Sequence, residues 1–302
     1  MISLCSPIQA SVPTALALGS FDGLHAGHRQ VIKSITEESR GIPSVVSFWP
    51  HPREVLFGES RLRLDLPKEK ISLLEPLGIK QLVLIPFDLD LAALTPEIFV
   101  QEILSKTLQA KLIGVGANFR FGKNREGDAS SLKKIAQSFG IEVRIVPILE
   151  DKEGRISSSR IRSALNSGDL RTAQKLLDRP YSFRGIVIKG KGLGRGIGWP
   201  TANLQIDGRK LLPKLGVYAA WAMEGEEKTR HKAVMNFGPQ PTIDPNSPSA
   251  VEVHLLDKKI ELLGKELIIE PSQRLRSQKK FENIEELSKQ IQIDAEMAKK
   301  VL

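Results

Sequence analysis

The stretch TALALGSFDGLHAGH, Thr14–His28, joins a short apolar run to a glycine-rich loop and then to the start of a helical pattern. A short, continuous apolar run is typical of a strand that is buried on both faces of a parallel sheet. In open α/β sheets, ligands bind at the carboxyl ends of such strands, where the chain turns into the next helix. The stretch therefore predicts the first strand, a ligand loop and the first helix of an α/β domain.

The same alternation of strands and helices continues from Thr14 to about Pro147. The predicted strands are the runs TALALG, PSVVSF, QLVLIPF, KLIGVG and EVRIVPI. The predicted helices are HRQVIKSITEES, PKEKISLLEPLG, TPEIFVQEILSKTL and SSLKKIAQSFG. In the third helix, Thr95 is a capping residue and Pro96 occupies the first helical position. This order predicts a Rossmann-like, doubly wound parallel sheet.

The pattern changes after the helical segment SSSRIRSALNSGDLRTAQKLLDRPY, which has a break at Gly168 and Asp169. The runs FRGIVIKG, GVYAAWAM, KAVMNFG, VEVHLL and KELIIEP then follow without helices between them, which predicts an antiparallel barrel or sandwich. A last helix, NIEELSKQIQIDAEMAKKVL, closes the chain with Asn283 as its cap. We expect two domains, 1–180 and 181–302, with the boundary near Tyr181.

The composition restricts the class of protein. With 302 residues, 41% hydrophobic and 26% charged, the chain is an ordinary globular one with room for two cores. The single cysteine, Cys5, excludes a disulfide framework and a cysteine-based zinc site. No apolar run reaches the ~20 residues that span a bilayer, and the first residues lack the basic segment of a signal peptide. We expect a cytoplasmic protein that does not bind membranes.

The formal net charge of +9 raises the question of a nucleic-acid partner. The basic residues are scattered through amphipathic segments, however, and aromatic residues, which stack on bases, make up only 5% of the chain. A solvated basic surface is the simpler explanation. We therefore expect small-molecule substrates and no nucleic acid, and the sequence leaves the oligomeric state open.

Two histidines, His25 and His28, stand where the first helix begins. The helix dipole and free N–H groups favour phosphate there, and imidazoles can donate hydrogen bonds to charge that develops on a phosphoryl group. The pair could also bind a metal, but no suitable third ligand lies nearby in sequence, or it could be exposed and without function. The surrounding glycines favour a nucleotide loop. Its expected residues are Gly19, Ser20, Phe21, Asp22, Gly23 and Gly27.

Two further polar segments belong to the same predicted edge of the sheet. VGANFRFGKNREGD, Val115–Asp128, places Asn118 and Arg125 among glycines after a strand. Phosphates and bases are often held there, although a flexible surface loop is the alternative. ISSSRIR places three hydroxyls before an arginine, as in a second anion site or, alternatively, an ordinary helix cap. The expected nucleotide-binding residues in this segment are Ser157, Ser158, Ser159 and Arg160.

The segment GKGLGRGIGWPTAN, Gly190–Asn203, has a glycine at every second position for five glycines. It does not fit the dinucleotide fingerprint, because its glycines do not have the required spacing. It does not fit the Walker A motif either, because Gly192 stands where that motif has a serine or threonine. A glycine-rich bend at a barrel corner is one interpretation. The other is bare backbone that wraps phosphates with N–H groups. The residues expected to do so are Gly190, Gly192, Gly194 and Arg195.

Thr201 and Asn203, just after these glycines, would share one face of an extended chain. Two neutral oxygens together with nucleotide phosphates suit Mg²⁺. An enzyme that phosphorylates an alcohol also needs a base or an orienting carboxylate. Glu252 in VEVHLLD lies on the strand face opposite Val251 and Val253. A single glutamate on such a strand is commonly exposed to solvent, so this position alone decides nothing.

Three motifs in the first half, taken together in their order along the chain, point to one protein family. Gly-x-Phe-Asp-Gly-x-His-x-Gly-His, Asn-Phe-x-Phe-Gly and Ile-Ser-Ser-Ser-Arg-Ile-Arg resemble the adenylyltransferase half of the bacterial bifunctional riboflavin kinase/FMN adenylyltransferase family, also called FAD synthetase. FWPHP, Phe48–Pro52, also matches the family pattern. Leu64-Asp65 departs from it, because relatives commonly have a Leu-Thr pair at this position. The resemblance implies that this half transfers AMP from ATP to FMN, with His25 and His28 as catalytic residues.

The glycine segment with WPTAN, followed by AVMNFGPQPT, resembles the riboflavin kinase half of the same family, a six-stranded Greek-key barrel. The resemblance implies that Thr201 and Asn203 coordinate Mg²⁺ and that Glu252 is the catalytic base. It further implies ATP as co-substrate, and riboflavin, FMN and FAD as substrates or products. The departures from the family pattern are Trp199, Lys258 and Leu263.

Two other functions fit parts of the sequence. The first half could adenylylate a different substrate while the barrel takes no part, although Thr201, Asn203 and Glu252 together favour an active barrel. The positive charge could instead belong to a non-enzymatic nucleic-acid-binding protein, whose binding would be sensitive to salt. The ordered motifs favour the two-step flavin enzyme.

Overall fold

The computed structural model describes residues 3–5, 10–37, 40–59, 62–190, 198–225, 229–238, 250–256, 258 and 261–302. The chain divides into two compact units, Met1–Ser158 and Ser159–Leu302. Within the described ranges, no helix is long and apolar enough to cross a bilayer.

The strands of the first unit confirm the predicted parallel sheet. They are β1 Ser3–Cys5, β2 Thr14–Leu18, β3 Ile42–Trp49, β4 Gln81–Pro86, β5 Ala110–Gly116, β6 Arg120–Phe121, β7 Gly127–Asp128, β8 Glu142–Val146, β9 Glu150–Asp151 and β10 Gly154–Arg155. Six of them pair in parallel in the order β1-β4-β3-β2-β5-β8, and the other four form two short antiparallel pairs. All five predicted strands are present, and β1 adds an edge strand that was not predicted.

Helices pack on both faces of this sheet. The helices of the first unit are α1 Ala26–Thr36, α2 Pro52–Phe57, α3 Pro67–Leu74, α4 Leu89–Ala93, α5 Pro96–Ile98 with a π-helical continuation Phe99–Thr107, and α6 Ala129–Gln137. Successive residues of β2 enter different cores, because Leu16 and Leu18 pack in one and Ala15 and Ala17 in the other. Burial on both faces is the physical reason for the continuous apolar runs in the sequence.

A glycine in β5 lets α1 lie close to the sheet. A Cβ atom at Gly114 would lie 2.5 Å from Oγ of Ser34 and 2.9 Å from Cγ2 of Ile35, so the helix packs directly on the strand backbone. Strand β5 is the neighbour of β2 in the sheet. The packing therefore holds the first helix beside the strand from which its ligand loop emerges.

The second unit contains a closed antiparallel barrel. The helices and strands of this part of the chain are α7 Ser158–Ser167, α8 Leu170–Leu177, β11 Phe183–Ile188, β12 Ala202–Gln205, β13 Gly216–Glu224, β14 His231–Gly238, β15 Ala250–Leu255, β16 Glu266–Arg276 and α9 Ile284–Val301. The barrel closes in the order β11-β12-β15-β14-β13-β16. This confirms the predicted antiparallel barrel, and β12 is the strand that the apolar pattern did not predict.

The helix signals in the sequence agree with the structure. The side chain of Asn283 accepts a hydrogen bond from the backbone N–H of Glu286 at the start of α9, and Thr95 caps α5 in the same way. The predicted break at Gly168 and Asp169 separates α7 from α8. Helix α8 packs on β16, and the division between the two compact units falls at the start of α7.

Helix α9 packs against the outer surface of the barrel. Its Ala295 and Ala298 are buried in one cluster with Val217 and Ala219 of β13 and Val234 of β14. Side chains alternate along a strand, so Val234, Asn236 and their cross-strand partners share the face of the barrel on which α9 lies. That face carries the second candidate site.

Candidate active sites

The first candidate site is the loop between β2 and α1. Its backbone is sharply folded, since Phe21, Gly23 and Leu24 all have positive φ angles, of 44°, 91° and 42°. The ring of Phe21 is buried and lies against the ring of His28, with centroids 5.3 Å apart. Non-glycine residues adopt such angles only where surrounding contacts hold them. The loop is therefore a fixed scaffold beneath the start of the helix.

The structure brings the two predicted histidines together. The rings of His25 and His28 stack with centroids 3.7 Å apart and an angle of 19° between their planes. His25 is the cap of α1, and its Nδ1 accepts a hydrogen bond from the backbone N–H of His28 at 3.4 Å. A Cβ atom at Gly27 would lie 3.3 Å from Cε1 of His25, so the glycine leaves room for the cap.

Both imidazoles are neutral at neutral pH. Burial, with help from the nearby charges of Arg155 and Arg29, lowers the pKa of His25 to about 4. Burial also holds the pKa of His28 well below its usual range, and His25, Lys70 and Arg155 act in the same direction. Among the described residues, none bonds to the buried Nδ1 of His28. A buried polar atom without a partner at a helix start is suited to a ligand.

Asp22 ties the loop to two other parts of the first unit. Its carboxylate accepts hydrogen bonds from the backbone N–H groups of Leu64, at 2.9 Å, and Asp65, at 3.3 Å. Its backbone carbonyl accepts a hydrogen bond of 2.7 Å from Oγ of Ser158. The first and third motifs of the first half thus meet at Asp22, as expected if both lie at the same edge of the sheet.

A buried lysine contacts the loop, and it was not predicted from the sequence. Nζ of Lys70, on α3, donates a hydrogen bond of 3.0 Å to the carbonyl of Ser20, which also accepts one from Oγ of Ser47. Burial lowers the pKa of Lys70, while Asp22 and Asp65 oppose that shift. The sequence does contain a signal, because Lys70 is four residues before the buried Leu74 and so shares its helix face.

The second polar segment brings in another cation. With its amide oxygen turned towards Arg155, Asn118 accepts a hydrogen bond of 2.7 Å from Nη2 of that residue. Arg155 lies in β10 and was not predicted, although its charge acts on both histidines. Arg125 is exposed in a 3₁₀ turn. In the third segment, Ser157 and Ser158 end the first unit, while Ser159 and Arg160 begin the second.

The second candidate site lies across three barrel strands. In the sheet register, Asn203 of β12 is opposite Ile188 of β11 and Glu252 of β15. Ala202 is buried, whereas Thr201, just before the strand, is exposed and Asn203 is half-buried. A Cβ atom at Gly190 would overlap the amide of Asn203, with Cγ only 2.6 Å away. Bare backbone therefore approaches the predicted metal ligand.

The predicted base is half-buried and hydrogen bonded. Val251 and Val253 are buried on the other face of β15, as the alternation predicted. Oε2 of Glu252 accepts a hydrogen bond of 3.3 Å from Nδ2 of Asn236, which is its partner on β14. Burial raises the pKa of Glu252, and the Asn236 amide acts against that rise. A raised pKa moves a carboxylate closer to the range in which it accepts protons efficiently.

Trp199 and His254 frame the start of β12. Nδ1 of His254 lies 2.7 Å from the carbonyl of Pro200, and the indole of Trp199 meets the His254 ring edge-on, with centroids 5.1 Å apart. The indole N–H donates a hydrogen bond of 3.3 Å to Oγ of Ser288 on α9. These contacts fix the segment that carries Thr201. Of the predicted phosphate-binding residues, Gly192, Gly194 and Arg195 lie outside the described residues.

Comparison with known proteins gives the same two halves. A family described as FAD synthetase matches residues 8–160, and one described as riboflavin kinase matches residues 177–302. The bifunctional riboflavin kinase/FMN adenylyltransferase of Escherichia coli K12 is 36% identical, over 92% of this chain and 90% of that protein. Its namesake from Bacillus subtilis is 37% identical, over 94% and 91%.

A solved structure also matches the whole fold. It is described as a macrolide-efflux protein from Streptococcus pneumoniae, and it has a TM-score of 0.85 at 30% identity, covering 97% of this chain and 95% of that one. The arrangement of a parallel α/β unit followed by a closed barrel and a helix is therefore shared along the full length.

Proposed function

The chain belongs to the bifunctional riboflavin kinase/FMN adenylyltransferase family, and from this premise we propose how its residues divide the two reactions. The chain is a transferase that phosphorylates riboflavin with ATP to give FMN. It then transfers AMP from a second ATP to FMN, giving FAD and pyrophosphate. We assign adenylylation to residues 1–180 and the kinase reaction to residues 181–302.

In the adenylyl transfer, an FMN phosphate oxygen attacks the α-phosphorus of ATP, and the bond to pyrophosphate breaks. His25 and His28 donate N–H groups to the negative charge that develops on the α-phosphoryl group, together with the start of α1. Their neutral state and the unpartnered Nδ1 of His28 support this role. The nucleotide is held by Gly19, Ser20, Phe21, Asp22, Gly23, Gly27, Asn118 and Arg125, and the departing pyrophosphate by Ser157, Ser158, Ser159 and Arg160.

In the kinase reaction, the carboxylate of Glu252 takes the proton of the terminal ribityl hydroxyl. The hydroxyl oxygen bonds to the γ-phosphorus of ATP as the bond to ADP breaks. The buried surroundings of Glu252 raise its pKa, which suits a general base. Gly190, Gly192, Gly194 and Arg195 would hold the phosphates with backbone N–H groups and one positive charge.

Thr201 and Asn203 would hold Mg²⁺ through a hydroxyl and an amide oxygen. The close approach of bare backbone at Gly190 to the amide of Asn203 supports this assignment, because a side chain at that position would overlap the proposed ligand. Neutral oxygens suit Mg²⁺, which keeps several ligands from water and phosphate. When bound, the ion neutralises triphosphate charge.

The observation that carries this proposal is that each unit has its own reactive group, a neutral histidine pair in one and a glutamate opposite an asparagine in the other. The test is to incubate the full chain with riboflavin, ATP and Mg²⁺ and to separate the products by chromatography. FMN and FAD should appear. Unchanged riboflavin, or FMN with no FAD after complete conversion, would contradict the proposal.

A further inference from the structure

The carbonyl of Ser20, in the loop between β2 and α1, accepts two hydrogen bonds from the body of the first unit. Nζ of Lys70 on α3 and Oγ of Ser47 on β3 each lie 3.0 Å from it. A carbonyl can only accept, so both groups must be donors. Both donor side chains belong to buried residues. The two lone pairs of this carbonyl are therefore used by groups with which water does not compete.

These two donors orient the peptide bond between Ser20 and Phe21. The bond is trans, and in a trans peptide the N–H points in the direction opposite to the C=O. Because the carbonyl points at Lys70 and Ser47, the N–H of Phe21 points away from them. Within the described parts of the chain this N–H has no hydrogen-bond partner, although Phe21 is buried. Such buried N–H groups are rare in folded proteins, and they are suited to a ligand atom.

The side chain of Phe21 is held in place as well. Its ring lies against the ring of His28, with centroids 5.3 Å apart, and a Cβ atom at Gly19 would lie only 3.2 Å from its Cε2. The φ angle of 44° at Phe21 requires such contacts in a residue other than glycine. If the peptide turned over, a carbonyl oxygen would replace the N–H and would repel an anion. The two donors to Ser20 oppose that rotation.

Two further acceptors of the loop also face the protein. Oγ of Ser158 donates to the backbone carbonyl of Asp22 at 2.7 Å. The carboxylate of Asp22 accepts from the backbone N–H groups of Leu64 and Asp65. Oxygens that would repel a phosphate are thus occupied by donors from other segments of the first unit. The loop can then present N–H groups to a phosphate at the helix start.

We propose that Ser47 and Lys70 are positioning residues for adenylyl transfer. They hold the peptide between Ser20 and Phe21 so that the Phe21 N–H donates to the α-phosphoryl group of ATP, beside His28. The inference rests on the proposed adenylylation at this site. It adds Ser47, which lies outside every sequence motif, and it gives Phe21 a defined part as a backbone donor to the charge that develops in the transition state.

The first test is Ser47→Ala in the full-length chain, with FMN and ATP as substrates. Alanine removes one of the two donors, so kcat for FAD formation should fall about 3- to 10-fold. The KM values for ATP and FMN should stay within about twofold, because an interaction made only in the transition state changes kcat alone. The kinase rate of the same sample should be unchanged.

Ser44→Ala is the matched control. Ser44 is also a buried serine of β3, but its Oγ bonds to the carbonyl of Ile42 and the side chain of Gln81 rather than to the loop. The Ser44→Ala variant should lose a hydrogen bond of the same kind and keep the wild-type kcat for FAD formation.

Two further variants show whether Ser47 and Lys70 act through the Phe21 N–H. Ser47→Ala combined with Lys70→Met removes both donors, so kcat should fall about 10²-fold, as when one donor to the transition state is lost. Phenyllactic acid incorporated in place of Phe21 keeps the ring and replaces the N–H by an ester oxygen. The ester chain should lose about 10²-fold in kcat, and adding Ser47→Ala to it should cause no further loss.

The inference would be overturned by an unchanged kcat in Ser47→Ala, an equal fall in Ser44→Ala, or a raised KM at constant kcat. A wild-type rate in the ester chain, or a further loss when Ser47→Ala is added to it, would also overturn it. The unaltered chain separates the two proposals. If it does not convert FMN to FAD, the proposed adenylylation is wrong; if it does, while Ser47→Ala behaves like wild type, only the positioning role is wrong.

Discussion

The two candidate sites, each proposed to bind ATP, are built from different parts of the fold. The first is built at a loop and a helix start, where two stacked imidazoles are kept neutral above a buried cation, Lys70. The second is built across strands, where Glu252 has a raised pKa and its direct partners are neutral amides. One site offers donors to negative charge, and the other offers an acceptor for a proton.

The difference fits the two nucleophiles in the proposed reactions. The phosphate of FMN is already an anion, so its site needs only groups that stabilise further negative charge. The ribityl hydroxyl of riboflavin carries a proton that must leave, so its site needs a base. The comparison predicts that variants at one site leave the other reaction unchanged.

Removing the proton acceptor should have the largest effect. Glu252→Gln keeps the shape of the side chain and loses the base, so the kinase rate should fall about 10³-fold. Conversion of added FMN to FAD should remain at the wild-type rate. Chromatography with riboflavin or with FMN as the starting flavin measures both. The matched control, Glu285→Gln on an exposed part of α9, should keep both activities.

Removing a donor at the other site should have the next largest effect. His28→Ala should slow adenylylation about 10²-fold and leave the kinase reaction intact, so that FMN accumulates. His231→Ala, in the barrel, is the control and should change neither product. Loss of both activities in His28→Ala, with its fold intact by circular dichroism, would argue against separate sites.

The buried histidines should also make the first unit sensitive to acid. The unfolded chain protonates His25 near its ordinary pKa of 6.5, whereas the folded chain does so only near 4. Between these values the unfolded state binds more protons, so stability present above pH 6.5 is lost as the pH falls towards 4. For His25 alone the loss at about pH 5 is on the order of 2 kcal/mol.

A single-tryptophan variant can report this loss. Of the three tryptophans, only Trp49 lies in the first unit, so Trp199→Phe with Trp221→Phe leaves one fluorescent probe there. Urea unfolding followed by that probe should weaken with falling pH. In the same background, His25→Asn keeps a good helix cap and should flatten the dependence. An unchanged slope would contradict the lowered pKa of His25.

The smallest of these effects should come from replacing Lys70, whose ammonium group contacts the loop. Lys70→Met removes the donor to Ser20 and a positive charge near His28, so adenylylation should slow about 10-fold. The pKa of His28, measured by NMR of its ring, should rise because one of the charges that lower it is gone. Lys68→Met, at an exposed position on the same helix, is the control. An unmoved His28 pKa would show that Lys70 does not act on that ring.

Much of this molecule could be predicted from its sequence, because the relevant signals are local. The buried strands of the first unit are continuous apolar runs, and the histidine pair sits beside glycines at a helix start. Strand β12 escaped prediction because Ala202–Gln205 has only two apolar residues and is extended through pairing with β11 and β15. Such a strand is set by its neighbours rather than by its own composition.

The residues that contact the candidate sites from distant parts of the chain were harder to predict. Gln278 meets Asn236 across 42 positions of the chain, and Lys70 meets Ser20 across 50, so no local pattern links either pair. Neither Gln278 nor Lys70 belongs to a sequence motif, and each is brought to a candidate site by the packing of distant segments. Sequence motifs identify candidate residues for contact with substrate, whereas the residues that pack against those candidates depend on how the strands and helices are arranged.

The most direct test of separate sites is to mix the two inactive variants. With riboflavin, ATP and Mg²⁺, Glu252→Gln alone should form FMN about 10³-fold more slowly than the wild type and so give little FAD, and His28→Ala alone should form FMN with little FAD. An equal mixture should form FAD, since each full-length chain supplies the reaction that the other lacks. If the mixture forms no more FAD than His28→Ala alone, while Glu252→Gln also fails to convert added FMN, the two reactions do not have separate sites.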